Sequence, residues 1–510
     1  MQRRDFLKAS LIAPAAAMVN VGCAPAPPAF DLEELTLADL QRFSARSLTE
    51  KYLARIAAID RQGPALGTII ELNPDALAIA EALDQERTAK GPRGPLHGIP
   101  VLIKDNIDTA DRMTTTAGSL ALEGSTPVRD AAVVERLRAA GAVILGKTNM
   151  SEWANFRSTH STSGWSGRGG QARCPYALDR NPSGSSSGSA VAVAANLCAL
   201  AVGTETDGSI VSPAATNGIV GIKPTLGIIA GLGIIPIAHS QDTAGPMART
   251  VRDAAILLGA LSVTPMDYTP FLNAQGLRGA RIGVARKFFG YQREVDQLME
   301  ECLAEMKRQG AEIIDPADLP SHGKYGDSET EVLLYEFKAD LTAYLAGLKT
   351  NVRVRTLKDI ILFNEANHSK ELQYFGQELM IQAEAKGPLT DKAYLDALAR
   401  NRQMSQAEGI DAVMREHQLD AIFAPAGGPA WLTDLVDGDH PFGGSSTPAA
   451  VAGYPNVAVP AGFVHGLPVG VSFFGAAHSE GKLIKYAYAF EQAMRARKAP
   501  KFLGSTSVRY

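Results

Sequence analysis

Cysteine is scarce in this chain of 510 residues, and its copies follow no pattern. The four cysteines are Cys23, Cys174, Cys198 and Cys302, and no two of them are close together. A disulfide framework or a zinc site needs regular short spacings, and the nine histidines show none at metal-ligand distance either. The sequence therefore predicts no metal and no cofactor, and it indicates that the last three cysteines are packing residues.

Long runs of basic or apolar residues are also missing. The 50 basic and 54 acidic residues give a formal net charge of −4, so the sequence offers no electrostatic footprint for nucleic acid. Past the N-terminus, no window reaches the roughly 18 apolar residues that a membrane-spanning helix needs. A hydrophobic content of 45% with 6% aromatic residues is typical of a globular enzyme and excludes a disordered or fibrous chain.

Residues 1–22 have the character of an export signal. The basic segment RRDFLK at 3–8 precedes a mildly apolar stretch, and it resembles the twin-arginine signal with Gln2 where Ser or Thr is usual. The following VGC at 21–23 is similar to the end of a lipoprotein box. Lipidation of Cys23 and cleavage near residues 15–17 both stay open. Cleavage predicts a periplasmic protein, and lipidation predicts a lipoprotein anchored on the outer face of the membrane.

Strand and helix patterns alternate along the rest of the chain. A Pro-rich hinge at 23–30 leads into a domain at 31–505, with apolar strands expected near 101 and 143 and again at 420–424, 455–459 and 468–474. The pattern of the segment 287–410 predicts helices. Because strands on both sides of this segment would join one sheet, we predict a single α/β domain with a helical insertion at about 287–410.

Two short motifs match well-known catalytic patterns but lie in the wrong context. GAVILGKT at 141–148 fits the phosphate-binding loop GxxxxGK[ST], yet its central residues belong in a strand, which leaves Lys147 expected at the surface. GSSSG at 184–188 fits the GxSxG nucleophile elbow with Ser186 as nucleophile, yet no apolar strand precedes it. Neither ATP binding nor an α/β-hydrolase site is favoured.

A third hypothesis for the active site combines a lysine with two glycine-flanked serine segments. Lys104 ends the apolar strand VLIK, where desolvation would lower its pKa and make the neutral amine a general base. Alone, such a lysine is more often a surface residue at a strand end. The segments 184–188 and 208–209 permit close backbone approach, and the N–H groups of TDGS at 206–209 could form an oxyanion hole. Between these segments, the small apolar run at 190–203 is expected to form a buried helix.

The stretch from 184 to 225 resembles the signature of the amidase signature family. It reads GSSSGSAVAVAANLCALAVGTETDGSIVSPAATNGIVGIKPT and keeps the family's 24-residue separation between two key serines, Ser185 and Ser209. Further agreement lies at 96–108, 141–154, 242–250 and 452–463, so the resemblance covers nearly all of the chain after the signal. It implies a single large α/β/α domain with a central mixed β-sheet covered by helices.

The resemblance also implies a catalytic machinery. The family's Ser-cisSer-Lys triad falls on Ser209 as nucleophile, Ser185 as bridging serine and Lys104 as base, with a cis peptide bond before Ser185. The oxyanion hole falls on the backbone N–H groups of Thr206, Asp207 and Gly208 beside Ser209. The chain departs from the family pattern at Asp207, where glycine is common, and at Val211, where a basic residue is common.

These departures leave the substrate open. Ser186 and Val211 are the candidate pocket residues that the resemblance suggests. The phrases SEWANF, SGWS and GTETDGSIV are similar to family members that hydrolyse the C-terminal amide of peptides, releasing ammonia. Small aliphatic or aryl amides are the alternative substrates. A glutaminyl-tRNA amidotransferase-like subunit conflicts with the export signal, and a non-catalytic exported binding protein would require loss of a triad residue.

Overall fold

The described part of the protein is residues 31–349 and 351–506 of a computed structural model. The predicted export signal at 1–22, the hinge at 23–30 and Cys23 lie outside the described residues. Within that part, no helix is both long enough and apolar enough to span a membrane. Cys174, Cys198 and Cys302 are buried free thiols, which confirms the prediction that they are packing residues.

Most of the β-structure lies in strands of four to nine residues. The strands are β1 (Ile69–Leu72), β2 (Pro100–Lys104), β3 (Val143–Thr148), β4 (Trp165–Ser166), β5 (Gly170–Gln171), β6 (Leu200–Glu205), β7 (Val220–Lys223), β8 (Thr243–Ala248), β9 (Arg281–Val284), β10 (Glu312–Ile314), β11 (Ala421–Pro425), β12 (Asn456–Val464) and β13 (Leu467–Phe474).

Helices connect the strands and cover the sheet. The α-helices are α1 (Leu37–Leu40), α2 (Ala45–Ile59), α3 (Ala76–Lys90), α4 (Ala132–Ala139), α5 (Ser187–Ala194), α6 (Val211–Thr216), α7 (Val251–Leu261), α8 (Arg293–Arg308), α9 (Gly326–Ala346), α10 (Leu357–Ala366), α11 (His368–Glu371), α12 (Glu378–Glu384), α13 (Lys392–Arg402), α14 (Asp411–Glu416), α15 (Thr447–Ala452) and α16 (Glu480–Met494). Short 3₁₀ helices lie at Leu120–Leu122, Glu152–Asn155, Thr269–Phe271 and Arg286–Phe288, and a π-helical segment lies at Gln403–Ile410.

Eleven of the described strands form one sheet in the order β1-β3-β2-β6-β8-β7-β12-β13-β11-β9-β10. The sheet is mixed, because β3, β2 and β6 run parallel while β6, β8, β7, β12, β13 and β11 pair antiparallel. Strands from both ends of the sequence therefore share one sheet, as the patterning predicted. The helix-covered mixed α/β sheet confirms the expected fold class.

The apolar run at 190–203 does not form one helix. It divides into α5, which ends at Ala194, and β6, which begins at Leu200, with Asn196 at a φ of 59° between them. Both elements are fully buried, and a short run of small apolar residues has no periodicity that separates a buried helix from a buried strand. The division places residue 204 at the end of a strand adjacent to β2.

The segment 287–410 is mostly helical but contains one strand. β10 pairs parallel with β9 at the edge of the sheet, inside the range that was expected to be helical. Further along, α9 and α10 contribute Phe337, Leu341 and Ile360 to a second apolar cluster that includes Trp153 and Ile237. The helices of this segment therefore pack against loops from the first half of the sequence.

Candidate active site

Lys104 lies at the carboxyl end of β2, between β3 and β6, and its side chain is fully buried. Its Nζ is 2.7 Å from Ser185 Oγ, 2.9 Å from Thr204 Oγ1 and 3.2 Å from the Thr204 carbonyl oxygen. Burial lowers the pKa of Lys104 to about 7, and the carboxylates of Asp242 and Glu205 oppose this shift. Near neutral pH a large fraction of this amine is therefore uncharged.

The serine-rich segment before α5 packs against the ends of β2 and β6. The Gly184–Ser185 peptide bond is cis, which agrees with what the family resemblance implied, and Ser185 is 1% exposed. Ser186 N–H donates to the carbonyl oxygen of Ser209 at 3.2 Å. This hydrogen bond joins the segment that carries Ser185 directly to the segment that carries Ser209.

Ser209 lies in the turn between β6 and α6. The Glu205 carboxylate accepts hydrogen bonds from the N–H groups of Ile210 at 2.7 Å and Val211 at 2.9 Å, which fixes the start of α6. Gly208 has a φ of 81°, and a Cβ at this position would lie 3.1 Å from Ser446 Oγ, so the turn needs glycine. Ser209 is 8% exposed, more than the nearly buried Ser185.

The backbone around Ser209 offers several hydrogen-bond donors. Among the described residues, none of the N–H groups at 206–209 donates a hydrogen bond to another protein group. They belong to four consecutive residues of the turn between β6 and α6, and successive unpaired backbone N–H groups in a turn can form a site that favours negative charge. The arrangement is suited to stabilising an oxyanion next to Ser209.

The side chain of Asp207 lies in a polar cluster. Its carboxylate accepts hydrogen bonds from Ser446 Oγ at 2.5 Å and Thr447 Oγ1 at 2.6 Å. Glu329, on α9, lies within hydrogen-bonding reach of the same carboxylate. The residue that departs from the family glycine is therefore bound by two distant parts of the chain.

The remaining sequence candidates have structural contacts. Ser186 Oγ donates to the Thr204 carbonyl oxygen at 3.0 Å and Val211 is 1% exposed, and their role as pocket residues stays a prediction. Lys147 was expected at the surface, and this prediction is wrong. It is fully buried within β3 and donates to the Ile107 carbonyl oxygen at 2.6 Å and to Thr115 Oγ1 at 2.7 Å, because the loop after β2 folds over the end of β3.

Comparisons with known proteins show which family the chain belongs to. The family model described as Amidase matches residues 47–484. The chain belongs to the amidase signature family. A probable amidase of Arabidopsis thaliana is 43% identical over 500 residues, covering 93% of each chain. The crystal structure of a peptide amidase from Stenotrophomonas maltophilia is 51% identical with a TM-score of 0.88, covering 93% of this chain and all of that one.

A more distant relative has a different activity. A glutamyl-tRNA(Gln) amidotransferase subunit from Exiguobacterium sibiricum is 34% identical over 466 residues, covering 87% of this chain and 93% of that relative. Together, the family match and the similarity to amidases over almost the whole chain identify this protein as an amide hydrolase.

Sequence reasoning missed several residues that hold this amidase's site together. Thr204 and Glu205 lie inside the TETDGS motif, so the motif itself could have indicated them. Gln241 contacts Glu329 and the Thr206 carbonyl oxygen and lies in the family-like phrase SQDTAGPMAR at 240–249, whereas no local pattern marks Glu329. Their proximity to the site is set by tertiary packing of α9.

Proposed function

We propose that this amidase hydrolyses the C-terminal amide of peptides through an acyl-enzyme on Ser209. The observation that carries the proposal is the set of three contacts made by the Lys104 amine. A neutral amine has two N–H donors and one lone pair. Two donations to the oxygens of Thr204 leave the lone pair to accept the Ser185 hydroxyl proton across 2.7 Å.

The proposed reaction moves one proton along the three residues. Lys104 accepts a proton from Ser185, Ser185 accepts one from Ser209, and Ser209 Oγ forms a bond to the amide carbon. The N–H groups at 206–209 hold the oxyanion. The carbon–nitrogen bond then breaks as the proton returns through Ser185 to the nitrogen, which leaves as ammonia. Water attacks the ester, releasing a carboxylic acid and restoring Ser209.

The peptide substrate is supported by similarity to a solved relative. The Stenotrophomonas maltophilia enzyme is a peptide amidase, and this chain shares 51% of its residues across its full length. Small aliphatic or aryl amides would use the same three residues. An activity assay with both kinds of amide is therefore needed to distinguish the two substrate classes.

The test compares an amidated peptide, the same peptide as free acid, and a small aliphatic amide. We expect ammonia release from the amidated peptide together with conversion of its –NH₂ to –OH, and no cleavage of internal bonds. S209A is expected to be inactive, whereas S187A, which changes a serine in the first turn of α5 whose hydroxyl donates to the Ser183 carbonyl oxygen, keeps most of its activity. Ammonia from the small amide alone would reject the peptide substrate, and equal turnover by S209A would reject the nucleophile.

We also propose that residues 1–22 direct export and that Cys23 accepts a lipid. The support is the RR-containing segment and the VGC sequence. Replacing Arg3 and Arg4 by lysine is expected to keep the amidase in the cytoplasm of a bacterium with a twin-arginine pathway. C23A is expected to move activity from the membrane fraction to the soluble periplasm. Unchanged fractionation of either variant would contradict the corresponding part.

A further inference from the structure

Two carboxyl groups from distant parts of the chain meet beside the proposed oxyanion hole. Asp207 precedes Gly208 and Ser209, whereas Glu329 lies in the first turn of α9 and is 8% exposed. The two carboxyl groups are within hydrogen-bonding reach of each other. Two ionised carboxylates in contact at a buried position repel strongly, so such a pair holds one proton between them.

The surroundings decide which member carries the proton. Asp207 accepts hydrogen bonds from the hydroxyls of Ser446 and Thr447, and these bonds favour its charged form. Glu329 has one neutral donor, the Gln241 amide, at 3.0 Å from Oε1. Burial and the negative charge of Asp207 raise the pKa of Glu329 well above its ordinary value. Glu329 is therefore the protonated member.

Other titratable groups face the pair from the neighbouring elements. Lys223 in β7 favours the ionised form of Asp207, whereas Glu205 in β6 disfavours ionisation of its neighbours. Tyr325, just before α9, faces both carboxyl groups, and burial together with their charge raises its pKa. None of these groups replaces the hydrogen bond between Glu329 and Asp207.

The pair is connected to the backbone that carries the proposed oxyanion donors. The Gln241 amide nitrogen that contacts Glu329 also lies 3.2 Å from the Thr206 carbonyl oxygen. On the opposite side, Ser446 and Thr447 hold Asp207 at the start of α15. The segment 206–207 is thus fixed between α9 and the loop before α15, and its orientation sets the direction of the adjacent N–H groups.

We propose that Glu329 is a positioning residue of this amidase, whose protonated carboxyl group donates to Asp207 and holds the N–H groups at 206–209 toward the substrate carbonyl. The inference rests on the proposed function, because it assigns those N–H groups to the oxyanion. It also means that the segment at 287–410, which contains Glu329, affects catalysis. Asp207, which stands where the family commonly has glycine, does so as well.

The proposed hydrogen bond between Glu329 and Asp207 makes the activity depend on pH. When the pH rises through the raised pKa of Glu329, the pair loses its shared proton and two like charges face each other. The carboxylates separate, the N–H groups turn, and activity falls on the alkaline side. At lower pH the hydrogen bond is complete, and activity there is limited by protonation of Lys104 instead.

The first experiment compares pH profiles of kcat/KM for the wild type, E329Q and E329A. A glutamine has nearly the shape of a protonated glutamate, and it donates to Asp207 and accepts from Gln241 at every pH. We expect E329Q to retain neutral-pH activity within about threefold and to lose the alkaline limb, and E329A to lose about 10- to 100-fold, as a displaced catalytic group does. Lys223 and Tyr325 titrate in all three proteins, so the difference reports on Glu329.

The matched control is E331Q, the same substitution two residues along α9. Glu331 contacts Lys386 at 2.6 Å rather than Asp207. E331Q is expected to reproduce the wild-type profile. An alkaline limb in E329Q identical to that of the wild type would overturn the proposal, as would an equal change in E331Q.

A spectroscopic measurement separates this inference from the proposed function. Infrared difference spectra at neutral pH are expected to show the carbonyl stretch of a protonated carboxyl group that is absent from E329Q. In D207N the like charge is gone while burial still raises the pKa of Glu329, so we expect the band to persist at neutral pH and to disappear at a lower pH than in the wild type. Should E329Q fail to fold, D207N supplies the spectroscopic result. A band that persists in E329Q, or that disappears at the same pH in D207N as in the wild type, would overturn the inference, whether or not peptide amides are the substrate.

Discussion

Two buried lysines lie at the ends of neighbouring parallel strands, and only one of them contacts a serine of the proposed triad. Lys104 ends β2, and Lys147 lies next to last in β3, paired with Ile103. Burial lowers the pKa of both. Around Lys147 stand the carboxylates of Asp105 and Asp108, and its Nζ donates to a carbonyl and a threonine. Lys104 instead faces Ser185 Oγ.

The comparison shows that burial alone does not assign a catalytic role to a lysine. Both amines are desolvated, but only Lys104 has a hydroxyl partner whose neighbouring loop is bonded to the Ser209 segment. Lys147 is surrounded by acidic groups and joins the loop after β2 to the sheet. The contacts of Lys104 fit the proposed proton transfer, whereas those of Lys147 join two parts of the fold.

Replacing Lys104 by methionine would produce the largest difference between the two sites. Without a base next to Ser185, we expect kcat/KM to decrease by about 10²- to 10⁴-fold, the usual contribution of general acid–base catalysis. Steady-state kinetics on an amidated peptide provide the measurement. A K104M enzyme with more than a tenth of wild-type activity would break the comparison.

The pH dependence of the wild type gives the next largest effect. The neutral form of Lys104 is the proposed base, and its pKa is about 7. Activity should therefore fall as the pH decreases through about 7, by about tenfold for each further unit. The profile of kcat/KM between pH 5 and 8 tests this. A flat profile across this range would show that the amine is not the titrating base.

Thr204→Val sharpens the comparison because it removes one partner of Lys104 and leaves the lysine itself in place. The change removes Oγ1, which lies 2.9 Å from Lys104 Nζ and 3.0 Å from Asn106 Nδ2, and it preserves side-chain shape. One lost hydrogen bond to the amine corresponds to about 1 kcal/mol, so we expect a decrease in kcat/KM of about fivefold. The same kinetic assay measures it, with T115V next to Lys147 as the matched control. Equal losses in the two variants would contradict a special role for Thr204.

Lys147→Met is expected to change activity least. The Ile107 carbonyl and Thr115 Oγ1 would lose a buried donor, which costs about 1–3 kcal/mol of the free energy of unfolding. Activity at low temperature should stay within about twofold of the wild type. Urea unfolding and kinetics on the same preparation check both parts. Loss of activity with unchanged stability would reverse the roles given to the two lysines.

Much of the fold could be predicted because its strands are short apolar runs that end in polar residues. The strands near Val101 and Val143 and the three after 420 were located from this pattern, and the family signature indicated a mixed sheet. The strand at 200–205 was missed because small apolar residues such as Ala201 and Val202 suit either a buried helix or a buried strand.

Only those residues of the proposed site that lie in local sequence motifs could be predicted. Lys104, Ser185 and Ser209 lie in motifs whose spacing is visible in the sequence, and the structure places Lys104 Nζ beside Ser185 Oγ. Their catalytic roles stay predictions. Glu329 and Ser446 could not be found in this way, because they reach Asp207 only when the helices after β10 and the loop before α15 pack around the turn. The surface position expected for Lys147 failed for the same reason.

The pairing of β2 with β6 has a consequence for recovering active protein from denaturant. Ile103 pairs with Val202, which brings Lys104 beside Thr204 at the strand ends. A slip of one residue between these strands would turn the lysine to the opposite face of the sheet while leaving apolar side chains buried on both faces. Such a molecule would still be compact, with helices covering the sheet, but it would have no amidase activity. Specific activity after refolding is therefore a measure of strand register, which circular dichroism would not detect.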